Sequence, residues 1–420
     1  MQPESHSDTT SLTENHVRKT VLPNGLTIVT ERIPHVRSVS LGVWIRAGSQ
    51  TDRIENMGMA HFIEHMVFKG TATRNAFEIA DAVESLGGSL NAFTSRDLTC
   101  YYVSVLDEHI VLAAEVLSDI LGHSLLSPEE IEREKCVVIE EIRSSQDIPE
   151  ELVQDTFGDA VLSPDPASKP VLGTVETIQR IERKDIIEYI SQIYSTRNVV
   201  IAAAGSVEHE RLTDLVSSYF TFSDTINHFE SQNINNISSK DISIQKDIQQ
   251  SHICYGGRTC GYCDGRRNTL LIINTLLGSG MSSRLFQNIR ERHGLAYTIY
   301  SFTELLKSDG FIATYAATEP GNCERSISLI QDEYKILTRS HLDMATLGRV
   351  KSQLKGSLVL SLENTINRMN RLAKQEILLG TYYDINDTIN QIENVTADQV
   401  MEMSREIFSD DNLRKVVVSP

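Results

Sequence analysis

Two histidines and a glutamate fall within five residues of this 420-residue chain: His61, Glu64 and His65, in the run MGMAHFIEHMVFKG at 57–70. If the run is helical, His61 and His65 are i and i+4 on one face and can reach one ion, with Glu64 one turn beyond His61. The order His-x-x-Glu-His is the inverted form of the commoner zinc-protease signature. A zinc site needs neutral imidazoles and usually a third protein ligand, with a fourth position left for water. A nearby carboxylate then takes the proton of that water and hands it to a leaving amine. The motif alone also fits an amphipathic core helix with two histidines on its polar edge. Candidates for a third ligand are Glu134 and Glu141, seven residues apart and therefore two turns apart on one helical face. The run that holds them, EEIEREKCVVIEEI, otherwise reads as a solvated acidic face.

These residues need elements to hold them. Ser127-Pro128-Glu129-Glu130 is a helix start, with a capping serine, proline at the first position and glutamate three residues after the cap. The helix it opens is expected to run through Arg143, and another begins near Pro149. Upstream, Thr20 to Glu31 reads as a hairpin turning at Asn24-Gly25, and Val39 to Ala47 as a β-branched strand. Phe77 to Leu86 has helical spacing and stops at Gly87-Gly88. A single strand is expected over Ser89 to Val105, a helix over Ala113 to Leu121, and a buried strand over Asn198 to Ala204. A polar, Asn/Ser-rich stretch at 223–240 reads as a linker. Beyond it a similar alternation recurs, with strands near Ile242 to Tyr255, a helix at Thr269 to Leu277, a strand at Ala296 to Phe302 and long helices from Cys323. The expected organisation is two related halves, 1–222 and 241–420.

Composition excludes several classes of function. With 39 Lys+Arg against 57 Asp+Glu the formal charge is −18, the wrong sign for binding nucleic acid through bulk charge. No run approaches the 18 or so apolar residues of a membrane span. The first residues, MQPESHSDTTSLTENHVRKTV, have neither the regions of a signal peptide nor the bias of a transit peptide and are read as a short arm. Six cysteines are sparse for this length and suit reduced thiols in a cytoplasm-like compartment. Cys260 and Cys263 form a lone C-x-x-C whose Gly-rich surroundings offer no thioredoxin-like strand-to-helix context.

Taken with its acidic helix, HFIEH at 61–65 resembles the pitrilysin/insulinase metallopeptidases, and within them the mitochondrial processing peptidases and their bacterial relatives. Glu141 falls 76 residues after His65, which matches the family's zinc-ligand spacing. NGLTIV at 24–29, GMAHFIEHMVFKGT at 58–71, LGGSLNAFTSRDLTCYY at 86–102 and SRLFQNIRERHGLAYTIYS at 283–301 are similar to family landmarks. The resemblance implies that His61, His65 and Glu141 hold one zinc per chain, that Glu64 is the general base, and that Glu134 orients a ligand. It implies that Arg290 and Tyr297 reach from the second half toward the bound peptide, where a cation and a phenol can stabilise developing oxyanion charge. Asn91, Ala92 and Phe93 correspond to the edge strand to which substrates add, and Phe68 to an aromatic lining the pocket after the scissile bond. Glu151 and Asp155, i and i+4, match acids that receive a substrate Arg two residues before the cut.

The implied fold is α+β: two structurally related halves, each a mostly antiparallel sheet flanked by helices, enclosing a peptide-binding chamber. The implied activity is zinc-dependent endopeptidase cleavage of short or unfolded basic peptides by a homodimer in the bacterial cytoplasm, with the mitochondrial matrix as the second location. Neither nucleic acid nor membrane is an expected partner. Mitochondrial processing peptidase pairs a zinc subunit with a partner that carries a glycine-rich loop. The corresponding region here, LLGSGMSSRLF at 276–286, has only Gly278 and Gly280, which argues against the partner role. A catalytically silent subunit of the same fold is the competing reading, and it would break at least one position among His61, Glu64, His65 and Glu141.

Overall fold

The computed structural model describes residues 16–224 and 241–420. The N-terminal arm up to residue 15 and linker residues 225–240 lie outside the described residues. The first sheet is built from β1 (Val17–Val21), β2 (Thr27–Arg32), β3 (Ser38–Ile45), β4 (Ser89–Thr94), β5 (Thr99–Leu106) and β6 (Val199–Gly205). Its helices are α1 (Met59–Met66), α2 (Ala76–Glu84), α3 (Ile110–Gly122), α4 (Pro128–Asp147), α5 (Pro149–Leu162), α6 (Val175–Arg180), α7 (Arg183–Ile193) and α8 (His209–Tyr219). The second sheet comprises β7 (Asp241–Gln245), β8 (Ser251–Cys260), β9 (Ala296–Leu305), β10 (Asp309–Thr318) and β11 (Leu413–Ser419). Around it lie α9 (Arg267–Gly278), α10 (Cys323–Arg339), α11 (Met344–Ser361), α12 (Thr365–Lys374), α13 (Ile385–Glu393) and α14 (Ala397–Ile407).

The two sheets share one topology. The first has the order β1-β2-β6-β3-β5-β4 and the second β7-β11-β8-β10-β9. Without β1 the five strands of each correspond in order and in sense: β2 with β6 and β7 with β11 are parallel, and every other neighbouring pair is antiparallel. β4 and β9 are the equivalent edge strands. The expectation of two related α/β halves therefore holds at the level of topology, although their sequences share no sharp repeat.

Each half lends a helix to the other. Val153, Phe157, Val161 and Leu162 of α5 pack on Cys254, Phe311, Tyr315 and Val416 of the second sheet. Met369, Leu372 and Ala373 of α12 pack on Val29, Trp44, Val200 and Ala202 of the first. Phe157 is fully buried, edge-to-face on Phe311 with ring centroids 5.5 Å apart, and burial of its whole side chain is worth roughly 1.5–3 kcal/mol. The helices directly after α4 and α11 thus join the halves through two apolar interfaces.

One local expectation is corrected. The segment 89–105 is a hairpin rather than one strand. Its turn contains neither Gly nor Pro and is instead tied by side chains, with Ser95 Oγ donating to Asp97 at 3.0 Å and accepting from Leu98 N at 3.1 Å. Within the run 57–70 the helix covers Met59–Met66, with Gly58 in the left-handed region at its start and Gly70, also at positive φ, turning the chain after it.

Candidate metal centre

Helix α1 has a buried apolar face and a polar edge that meets α4. Met59, Ala60, Phe62, Ile63 and Met66 sit in the core of the first half, so the remaining positions 61, 64 and 65 are directed toward the neighbouring elements. Helix α4 starts as its sequence demands, with Ser127 Oγ accepting from Glu130 N and Pro128 at the first position, and it runs unbroken to Asp147. Ile131, Val138 and Ile142 bury its apolar stripe, which fixes the rotation that presents Glu134 and Glu141 to α1.

One ligand atom from each of His61, His65 and Glu141 lies within 4.8 Å of the other two. His61 Nε2 is 3.7 Å from Glu141 Oε1, and His65 Nε2 is 3.4 Å from Glu141 Oε2. The imidazole rings meet edge-on with centroids 4.6 Å apart. Burial, reinforced by the neighbouring His65, pushes the His61 pKa down to about 3, so this ring is neutral at physiological pH. Its Nδ1 is buried with no hydrogen-bond partner, and its Nε2 stands beyond hydrogen-bond length from Glu141. A buried neutral imidazole with uncommitted nitrogens beside a second imidazole and a carboxylate is a donor set that suits zinc.

The second imidazole is oriented from behind. Glu134, 2% exposed, lies 2.9 Å from His65 Nδ1 and accepts from Lys69 Nζ at 2.8 Å. With Nδ1 committed to Glu134, Nε2 is the nitrogen left facing Glu141. Burial works to lower the His65 pKa, but the Glu134 hydrogen bond and the charges of Glu141, Glu134 and Glu64 outweigh it and the net shift is upward. Glu134 is raised by burial but lowered more by His65 and Lys69, and so stays ionised.

Glu64 is half-buried beside this trio. Burial raises its pKa, opposed by a hydrogen bond from Thr94 Oγ1 at the end of edge strand β4. Leu90 and Ala92 pack toward the core that α1 enters, on the same face of β4 as Thr94. Phe93 faces the other way and meets Trp44 edge-on at 5.4 Å. Asn91 is exposed, and its Oδ1 accepts from Ala92 N. β4 is hydrogen-bonded to β5 alone, so its outer edge is unpaired within the sheet. Phe68 is half-buried against the core, its ring tilted toward Tyr101 at 6.3 Å.

Glu151 and Asp155 are exposed on α5, one turn apart. Burial raises the Asp155 pKa, against the charge of Arg96 and with that of Glu151. Asp159, one turn further on, is lifted by burial to about 6 despite Arg96. In the second half, the π-helical turn Phe286–Arg292 lays Arg290 over the Tyr297 ring, 4.8 Å from guanidinium carbon to centroid, with Tyr297 77% exposed. The structure brings these two together with each other.

Three polar residues escape a reading of the sequence alone: Thr94, Lys69 and Arg96. Lys69 lies beyond the end of α1, in the turn that follows it, so helical spacing does not place it on Glu134. Thr94 and Arg96 depend on a hairpin whose turn is marked only by Ser95 and Asp97, without Gly or Pro.

Residues 27–175 match the insulinase family (peptidase family M16), and residues 180–354 match the peptidase M16 inactive domain. The chain is 36% identical over 395 residues to the uncharacterized zinc protease YmxG of Bacillus subtilis, covering 94% of this chain and 96% of that protein. Its fold is similar to that of a protease from Helicobacter pylori, with a TM-score of 0.89, 22% identity and coverage of 96% and 99%. A chain of the complex III dimer of Candida albicans has the same fold, with a TM-score of 0.83, 17% identity and 96% coverage of each. Among the described residues no helix is long and apolar enough to cross a membrane. On the sequence match to its relatives and the donor set on α1 and α4, the chain belongs to the insulinase family (peptidase family M16) and is a zinc metallopeptidase.

Proposed function

We propose that the chain is an endopeptidase for short or unfolded basic peptides, with the zinc held by His61, His65 and Glu141, one ion per chain. The observation that carries the reading is the convergence of those three donors from α1 and α4, with Glu64 beside them. When bound, zinc supplies Lewis acidity that polarises the scissile carbonyl and acidifies a water. Glu64 takes a proton from the attacking water and returns it to the leaving amine. Its raised pKa brings it nearer to neutral pH than an ordinary carboxylate, where a base and acid of this kind is most effective. Thr94 offsets part of that upward shift and aims the carboxylate, and Glu134 holds His65 in the tautomer that presents Nε2.

The remaining assignments complete the proposal. Substrate adds to the free edge of β4 at Asn91–Phe93 by main-chain hydrogen bonds, inside a chamber between the two halves, 1–222 and 241–420. Arg290 and Tyr297 donate to the peptide carbonyl, and Phe68 lines the pocket after the cut. Glu151 and Asp155 receive an Arg two residues before it, a guanidinium being well matched by two carboxylates. A homodimer in the bacterial cytoplasm follows from the family resemblance. The intact donor set favours this reading over a silent subunit. The test is a pair of peptides of equal length, one basic and presequence-like and one acidic, incubated with and without chelator. Faster, chelator-sensitive internal cleavage of the basic peptide is expected, and equal rates on both would overturn the assigned specificity.

A further inference from the structure

Helix α1 has only two turns, too short to hold itself in register, and its first turn has no cap of its own. The cap position is Gly58, at φ 90°, which offers no side chain to the first N–H groups. Those groups are taken from a distance. The Asp52 carboxylate, 1% exposed, accepts from Gly58 N at 2.8 Å and from Ala60 N at 3.2 Å. Ala60 is the residue before His61, so Asp52 grips the backbone that carries the metal donors.

Asp52 is held in turn by Lys169, on the segment between α5 and α6. This side chain is fully buried, and its Nζ donates to Gln50 O at 3.0 Å and to Asp52 O at 2.5 Å. A buried ammonium is costly unless carbonyls and a counter-charge surround it; the loop 50–52 supplies two carbonyls, and the Asp52 carboxyl, whose pKa burial pushes up to about 7, adds its charge as it ionises. The end of this segment and the first turn of α6 press on the start of α1. A Cβ at Gly173 would stand 2.2 Å from Met57 O, so only glycine allows this approach, and Thr177 Oγ1 donates to Met57 O at 2.7 Å. The carbonyl of Lys169 accepts from Arg96 Nη1 at 3.2 Å, and Arg96 pairs with Asp159 of α5 at 3.0 Å and with Glu304 of β9, in the second half, at 3.1 Å.

We propose that Asp52 and Lys169 are positioning residues for the metal centre. They form a buried pair that fixes α1 along its own axis, and Arg96 ties that pair to the second half through Glu304. The proposal rests on the reading of α1 as the zinc-bearing helix. The pair acts through the helix backbone, and it matters because zinc tolerates donor displacements of only about 0.2 Å.

The test is Asp52→Asn in the full chain, read by zinc competition with a fluorescent chelator, by steady-state kinetics on a basic peptide and by circular dichroism. Asparagine keeps one acceptor oxygen and sets an amide donor against the other N–H, so one of the two grips is lost. The expected result is zinc affinity weaker by about tenfold or more, the scale of losses around ligand-orienting groups, with kcat reduced, KM unchanged and the far-UV spectrum retained. Wild-type zinc affinity and kcat in a folded variant would overturn the proposal. A measurement on the wild-type, zinc-free chain covers the case of a variant that does not fold. Residue-resolved hydrogen exchange is expected to place the Gly58 and Ala60 amides among the slow core amides, and exchange at the rate of the exposed helix ends would overturn the proposal. If instead the wild type binds no zinc, the reading of α1 fails separately and visibly.

Discussion

Removing the Glu134 carboxylate exposes how much of the metal affinity comes from behind the ligands. Glu134 is 2% exposed and has two partners, His65 Nδ1 at 2.9 Å and Lys69 Nζ at 2.8 Å. In Glu134→Ala the Lys69 ammonium, its side chain 31% exposed, recovers water, whereas the more enclosed His65 Nδ1 loses its acceptor. An unmatched buried donor costs about 1–3 kcal/mol, and loss of a ligand-orienting partner typically weakens metal binding by about 10- to 100-fold, or about 1.4–2.8 kcal/mol. Glu134→Gln keeps an acceptor but loses the charge that raises His65, so it is expected near the tenfold end and the alanine near the hundredfold end. The control is Glu140→Ala on the same helix, whose side chain is 70% exposed and pairs with Arg143 at the surface; surface pairs contribute about 0–1 kcal/mol to stability, so no change in zinc affinity is expected. Competition titrations against a fluorescent zinc chelator give all four affinities. Wild-type affinity for both Glu134 variants, or a Glu140→Ala loss as large as that of Glu134→Ala, would show that Glu134 does not act on the metal through His65.

Thr94→Val removes the hydroxyl that opposes the upward shift of Glu64. The base then deprotonates at higher pH, so the acid limb of kcat/KM is expected to move to higher pH with zinc content unchanged; a limb that stays in place would count against Thr94. Glu151→Gln with Asp155→Asn is expected to abolish the preference for Arg over Ala two residues before the cut and to leave the Ala peptide's rate intact, as measured by kcat/KM on the two peptides. The folded pKa of Asp159 is raised to about 6, so the folded state binds the extra proton and native stability is lost as pH rises from about 4 to about 6. Asp159→Asn is therefore expected to gain stability relative to the parent across that window in urea titrations, and a pH-independent difference would contradict the assignment.

The elements with chemical punctuation are legible in the sequence. Ser127-Pro128 marks the start of α4, and Asn24-Gly25 marks the β1–β2 turn, where Gly25 has φ 90°. The donors are legible because a helix repeats every 3.6 residues: His61 to His65 and Glu134 to Glu141 are spacings of one and two turns, and the structure brings His61, His65 and Glu141 together. What stays hidden is non-local. The exchange of α5 and α12 between the halves follows from which apolar faces meet in three dimensions, and Val153, Phe157 and Val161 give no sign of whose sheet they cover. The grip of Asp52 on α1 depends on Lys169, 117 residues away. The turn at Ser95–Leu98 carries only the weaker signal of Ser95 and Asp97, whose side chains tie it, with no Gly or Pro beside them.

Whether Glu64 is the base of a zinc-dependent cleavage is decided on Glu64→Gln. Zinc content and affinity are determined together with the cleavage rate of a basic peptide, alongside wild type with and without chelator. Wild type is expected to cut only when loaded with one zinc per chain. Glu64→Gln is expected to bind zinc as wild type does while its cleavage falls by at least about 10²-fold, the scale of a lost general base. Cleavage by wild type that survives removal of the metal would contradict the metal centre, and cleavage by Glu64→Gln at the wild-type rate would contradict its base.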